Sequence, residues 1–168
     1  MIFYVNNLLD KEENEQLAVT ALSFARDHVG LGKDKWTSGE DSPYNSYALN
    51  DLEYPPIVHV LSDRIDQAIK MIQDQLNIDH DLKAIELWYN VYDNTHFQEP
   101  HAHNPGLFSV VYFNKMPEGS STLTFENEAT TPGLQKEGTA VIFLSHMVHG
   151  VERGNNTEPR ITWSFNYQ

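Results

Sequence analysis

The sequence predicts an α+β domain in which two N-terminal helices back one sheet of a sandwich or jelly roll. Two stretches in the first half repeat their apolar residues at helical spacing. After Asp81 the pattern changes to short β-branched and aromatic runs, separated by Pro, Gly, Asn and Ser. Helices followed by many such runs are the order expected of an α+β chain, and 168 residues suit one domain spanning 1–168. Residues 1–81 read as helical support with a loop, and 82–168 as the β core.

Residues 2–5 form a short strand. Asp10 with Glu13 makes a capping box for a first helix, in which Leu17, Ala21 and Phe24 share a face and which Gly30 is suited to end. From 30 to 56 the chain is rich in Gly, Ser, Asp, Asn and Pro, with Trp36, Tyr44, Tyr47 and Tyr54 interspersed. A stretch of that length is either a surface connection or a lid over a site. After Pro55-Pro56, the residues Leu61, Ile65, Ala68, Ile69, Ile72 and Leu76 form the stripe of a second helix. Strands are then expected within 82–93, 107–114, 121–126, 139–144, 148–153 and 159–167.

Composition narrows the function. Eight Phe, eight Tyr and three Trp supply a β-rich core and argue against disorder. A formal net charge of −13 argues against nucleic acid, whose phosphates need Lys and Arg to meet them. Without cysteine there is neither a disulfide nor a thiolate metal site, so any metal must use His, Asp or Glu. No run is long enough to span a bilayer and no secretory leader is evident, which leads us to expect a cytoplasmic protein with no membrane partner.

The chemistry concentrates in Glu99-Pro100-His101-Ala102-His103 and two later residues, His149 and Arg160. Histidines two positions apart on an extended segment face the same way and can grip one ion. A third, His149, needs a folded sheet to reach them. Five of the eight histidines, including His96 and His146, lie between 96 and 149, whereas His59 and His80 flank the second helix and read as solvated. In Leu87-Trp88-Tyr89-Asn90-Val91-Tyr92, alternation sends Trp88, Asn90 and Tyr92 to one face, the better candidate for lining a polar cavity. Arg160 is a cation where a carboxylate could dock, or a surface strand arginine. Thr162 and Ser164 alternate with Ile161 and Trp163 as one polar face. Tyr92 and Tyr112 suit either a core or a pocket.

From residue 82 onward the chain resembles the iron(II)- and 2-oxoglutarate-dependent dioxygenases, in particular the prolyl-hydroxylase-like group. The resemblance rests on Asn90-Val91-Tyr92, Glu99-Pro100-His101-Ala102-His103, Ser109-Val110-Val111-Tyr112-Phe113-Asn114 and Pro117-Glu118-Gly119. It continues through Thr122-Leu123-Thr124-Phe125, Glu137-Gly138-Thr139-Ala140-Val141-Ile142-Phe143, His149-Gly150-Val151 and Arg160-Ile161-Thr162-Trp163-Ser164-Phe165-Asn166. It implies a double-stranded β-helix of the jelly-roll, cupin-like kind. It also implies Fe(II) on His101 and His149, the distal carboxylate of 2-oxoglutarate on Arg160 with Thr162 beside it, and Tyr92 lining the co-substrate pocket. Dioxygen and a peptide, amino acid or small molecule would then be the other reactants.

One departure separates this chain from that pattern. The family has Asp or Glu where this sequence has His103. Three arrangements follow: a three-histidine site of His101, His103 and His149; a carboxylate such as Glu99 or Glu126 completing the site with His103 beside it; or a site that has lost its metal. The competing functions are a cupin-type three-histidine metalloenzyme that does not use 2-oxoglutarate and a non-catalytic β-helix binding module. The sequence names no substrate and no oligomeric state.

Overall fold

The structure, a computed structural model, describes residues 1–27, 43–45 and 53–168. The stretch 30–56, read as a surface connection or a lid, and the helix stop at Gly30 lie largely outside these residues. The chain starts with β1 (Ile2–Asn6), followed by α1 (Lys11–Asp27). The capping box forms as expected, the Asp10 amide donating to Glu13 Oε2 and the Glu13 amide to Asp10 Oδ1, both at 2.9 Å. These bonds engage amide donors at a helix start, where backbone N–H groups lack intrahelical partners. The Glu13 carboxylate also receives Arg64 from the second helix at 2.7 Å, tying the two helix faces together.

That second helix, α2 (Pro56–Leu76), starts where proline costs least, because the first helical position has no intrahelical N–H bond to lose. Its stripe of Val58, Leu61, Ile65, Ala68, Ile69 and Ile72 is buried, and Asn77 ends it in the left-handed region at φ 54°. The remaining strands are β2 (Tyr44–Asn45), β3 (Ala84–Tyr92), β4 (Gln98–His101), β5 (Phe108–Lys115), β6 (Leu123–Phe125), β7 (Thr139–Leu144), β8 (His149–Val151) and β9 (Arg160–Tyr167). Each predicted run matches one strand, β5 reaching one residue past its run, while β2 and β4 are additional.

The strands form two antiparallel sheets, a larger one ordered β1-β7-β5-β9-β3-β2 and a smaller one ordered β4-β8-β6. Side-chain alternation gives the larger sheet two different faces. Its outer face carries Tyr89, Tyr112, Ile161, Trp163, Phe165 and Tyr167 into a core shared with both helices. Trp163 and Tyr89 pack with ring centroids 4.8 Å apart. Fully burying a large apolar side chain contributes about 1.5–3 kcal/mol, so this face anchors the fold. Polar bonds lock α1 to it: Tyr112 donates to Asn14 Oδ1 at 2.8 Å, and Asn14 donates to the Asn114 carbonyl at 2.9 Å. Tyr112 is therefore a core residue, because its hydroxyl finds its partner on the helix side.

The inner face packs Tyr92, Val111, Phe113, Val141 and Phe143 against Leu123 and Val151 of the smaller sheet. Two antiparallel sheets stacked in this way, with helices outside the larger, make a double-stranded β-helix. A cavity remains between the sheets beside that cluster.

Candidate metal centre

The centre begins with how β4 meets β8. Gln98 pairs with Val151 and His101 with His149, so three steps along β4 match two along β8. This is a bulge, and its cause is local: Pro100 has no N–H for the ladder, and proline in sheets is found at edges and bulges. Gly150 makes the close approach possible, since a Cβ there would lie 2.9 Å from the Gln98 carbonyl oxygen and 3.3 Å from the Pro100 nitrogen.

The bulge settles the direction of Glu99, which in an unbroken strand would share the face of His101. Gln98 and His101 both line the cavity, whereas Glu99 does not. Glu126 is exposed just past the end of β6. Neither carboxylate belongs to the histidine cluster, in which one ligand atom from each of His101, His103 and His149 lies within 4.8 Å of the others. Nor does strand alternation bring His103 there, because β4 ends at His101. His103 is held instead by its amide, which donates to the Ser145 carbonyl at 2.8 Å, and by its ring, 5.5 Å from that of Trp88.

The three rings are mutual neighbours, with centroids 4.4 Å apart for His101–His149, 4.9 Å for His101–His103 and 5.1 Å for His103–His149. Two of them have a defined tautomer. His101 Nδ1 lies 2.8 Å from the Glu99 carbonyl oxygen, and His149 Nδ1 lies 2.8 Å from that of Met147. A carbonyl only accepts, so each Nδ1 carries the proton and each Nε2 is left with its lone pair. Burial also disfavours the charged rings: it lowers His101 below its usual value, His103 to about 4 and His149 to about 3, with proximity to His101 adding to the last two shifts. At neutral pH these are three uncharged imidazoles, the form in which histidine ligates a metal.

The cluster suits a metal ion. Two metal–nitrogen bonds of about 2.1 Å meeting at right or tetrahedral angles set their nitrogens roughly 3–3.4 Å apart, so ligand atoms within 4.8 Å of one another have only to draw together slightly around an ion. Imidazole suits iron, zinc, copper and nickel alike.

Arg160 is the cavity's other chemical landmark. It pairs with Tyr92 across β9 and β3 and is 1% exposed. Its guanidinium carbon lies 4.5 Å from the Tyr92 ring centre and 5.6 Å from that of Phe113. Burial lowers its pKa and the neighbouring Tyr92 opposes that shift. Nε, Nη1 and Nη2 are all buried without a hydrogen-bond partner. A buried arginine remains charged, and leaving such donors unmatched is costly. A guanidinium in this state can receive a planar anion through its fork of N–H donors. Thr162 follows on the same face, where Asn90 Nδ2 approaches its Oγ1 at 3.4 Å.

The histidines and Arg160 line one cavity of about 250 Å³, together with Trp88, Asn90, Tyr92, Thr162 and Ser164. The inward face expected of Trp88, Asn90 and Tyr92 is therefore found. The polar wall continues through Ser109, which donates to Asn166 Oδ1 at 2.7 Å, and Asn166, which donates to Glu86. Sequence reasoning did not single out Gln98, Ser109 or Asn166. For Asn166 the signal is present in Arg160-Ile161-Thr162-Trp163-Ser164-Phe165-Asn166-Tyr167, an alternation that extends the polar face to the end of the strand. His96 lies outside the cavity, its Nδ1 accepting from the Asp93 amide at 3.1 Å. His59, His80 and His146 are exposed.

Comparison with solved structures places this architecture among known folds. The chain superposes on a Pseudomonas putida prolyl-4-hydroxylase with a TM-score of 0.74 at 15% identity, covering 99% of this chain and 92% of that one. A prolyl hydroxylase from Trichoplax adhaerens, solved with a peptide of the hypoxia inducible factor oxygen degradation domain, gives 0.69 at 16% identity, covering 99% and 82%. A viral collagen prolyl hydroxylase from Paramecium Bursaria Chlorella virus-1, solved as a 2OG complex, gives 0.66 at 14% identity, covering 99% and 94%. No protein-family model and no curated protein sequence matches the chain. What the chain shares with these enzymes at such identities is the double-stranded β-helix fold. Among the described residues no helix is long and apolar enough to cross a membrane.

Proposed function

We propose that this chain is an Fe(II)- and 2-oxoglutarate-dependent oxygenase that hydroxylates a C–H bond of a peptide, amino acid or small molecule. The observation that carries the reading is one cavity containing both a cluster of three neutral imidazoles and a buried guanidinium without a partner. A metal alone needs no arginine, and a carboxylate alone needs no histidines. A 2-oxo dicarboxylic acid uses both, one end at the metal and the other at the arginine. The likeness to solved prolyl hydroxylases, one of them a 2OG complex, supports the same reading.

In this reading His101, His103 and His149 hold the iron through imidazole nitrogens, and the Glu99 and Met147 carbonyls keep two of the rings turned toward it. Arg160 binds the distal carboxylate through its planar fork, which orients the acid as well as attracting it. Thr162 supplies a hydroxyl beside it, and Tyr92 keeps water from the guanidinium by lying against its face. Iron and 2-oxoglutarate held there would supply the oxygen-activating chemistry, in which one atom of dioxygen goes to the substrate C–H and the other to succinate as carbon dioxide leaves. With His103 in place of a carboxylate the three donors are all neutral, so a bound Fe(II) would keep one more unit of positive charge and would hold an anionic co-substrate more strongly.

Anaerobic titration of the apoprotein with Fe(II) and then 2-oxoglutarate tests this. A visible charge-transfer band should appear when the 2-oxo acid chelates the iron, and it should weaken in His103→Ala and Arg160→Ala. Iron binding with no such band would defeat the reading and favour a cupin-type or structural metal.

A further inference from the structure

Among the described residues, one side chain besides Arg160 faces this cavity with a buried donor that has no partner. Gln98 is 6% exposed, lines the cavity, and its Nε2 lacks any acceptor. It comes from the opposite sheet. Gln98 stands across from Val151, which is itself paired with Leu123. Val151 and Leu123 belong to the same apolar cluster as Tyr92 and Phe113, the two rings beside the Arg160 guanidinium. Gln98 is therefore displaced along β4 from the His101–His149 pair, and it opens into the same cavity as Arg160.

A carboxylate has about four lone-pair sites. The arginine fork takes two of them, and the Thr162 hydroxyl, whose oxygen already faces Asn90 Nδ2, has its proton free for a third. One site remains, and one orphan donor remains. We propose that Gln98 donates its amide N–H to the distal carboxylate of the 2-oxo acid, closing the anion site from the smaller sheet, so that the cavity selects a dicarboxylic 2-oxo acid over one with an apolar tail. This inference rests on the oxygenase reading. Gln98 is a positioning residue in it, brought inward by the bulge at Pro100.

The test uses Fe(II)-loaded protein without oxygen, titrated with 2-oxoglutarate and separately with 2-oxopentanoate, which lacks the distal carboxylate. Gln98→Met matches the side chain's length without its donor. It should weaken 2-oxoglutarate roughly tenfold or more, the size of a lost hydrogen bond to a charged group. Binding of 2-oxopentanoate should stay within about twofold, since a selectivity change is a difference of two affinities. Gln98→Glu should weaken 2-oxoglutarate further by repulsion, and thermal melting of both apoproteins checks that the fold survives. Wild-type affinity for 2-oxoglutarate in Gln98→Met, or equal loss of both acids, overturns the role of Gln98 while leaving the oxygenase reading intact. A wild-type protein that forms no band with either acid overturns both.

Discussion

The two faces of β9 are equally buried and chemically opposite. Ile161, Trp163, Phe165 and Tyr167 face the helices, while Arg160, Thr162, Ser164 and Asn166 face the cavity, and all eight are buried. Burial by itself therefore does not distinguish core from site in this molecule. The distinction lies in whether the polar atoms find partners. On the helix side they do: Trp163 Nε1 donates to Asn114 Oδ1, and the Tyr167 hydroxyl donates to Asp66, each bond spanning elements distant in sequence. On the cavity side the largest polar group, Arg160, has none. A face that supports the fold satisfies itself, and a face that serves a ligand leaves something for it to complete.

This contrast predicts different failures on the two faces. Trp163→Ala should cost the most stability, about 3–5 kcal/mol, as expected for truncating a large buried aromatic. Chemical denaturation measures the loss, and a loss under 1 kcal/mol would mean the helix face is not the anchor. Arg160→Met should do the reverse: 2-oxoglutarate affinity falls by about 2–5 kcal/mol, while the apoprotein becomes more stable by about 1–3 kcal/mol because unpaired buried donors are removed. An Arg160→Met apoprotein that melts earlier than wild type would place the arginine among the structural residues instead.

His103→Ala should reduce iron affinity by at least about 10- to 100-fold, the loss attached to removing even a ligand's hydrogen-bond partner. Calorimetric titration with Fe(II) would decide, and unchanged affinity would leave a site of two histidines. Acid should act on the same rings. His103 and His149 stay neutral in the fold down to about 4 and about 3, whereas in the unfolded chain they take protons below the usual 6.5. Their contribution to apoprotein stability is thus complete above pH 6.5 and declines as pH falls through the interval toward 3. Denaturation series across that interval, on wild type and on His149→Gln, should differ in slope. The smallest effect is expected of Thr162→Val, about 1 kcal/mol in 2-oxoglutarate affinity with no change in iron binding.

Much of this architecture was legible because it depends on short-range pattern. The Asp10–Glu13 capping box, the α2 stripe and the inward face of Trp88, Asn90 and Tyr92 all follow from spacings of two to four residues. The ligand face at β4 was not legible by the same rule. A straight strand would turn Glu99 inward with His101 and His103, but the bulge turns Gln98 inward and ends the strand before His103. Pro100 was the available signal, since it cannot complete a ladder, although how far a bulge shifts the register depends on the partner strand. Tyr112 was ambiguous for a similar reason, because its partner Asn14 is 98 residues away.

The sequence by itself singled out the candidate residues His101, His103, His149 and Arg160 and the α+β order that supports them, because both are written in residue type and local period. Only the tertiary structure decided that His103 and no carboxylate joins the other two rings, that Arg160 is buried without a partner, and that Gln98 lines the same cavity from the other sheet. Those are relations between strands in different sheets. They depend on register and on the bulge, which are set by packing between segments far apart in the chain rather than by any local pattern.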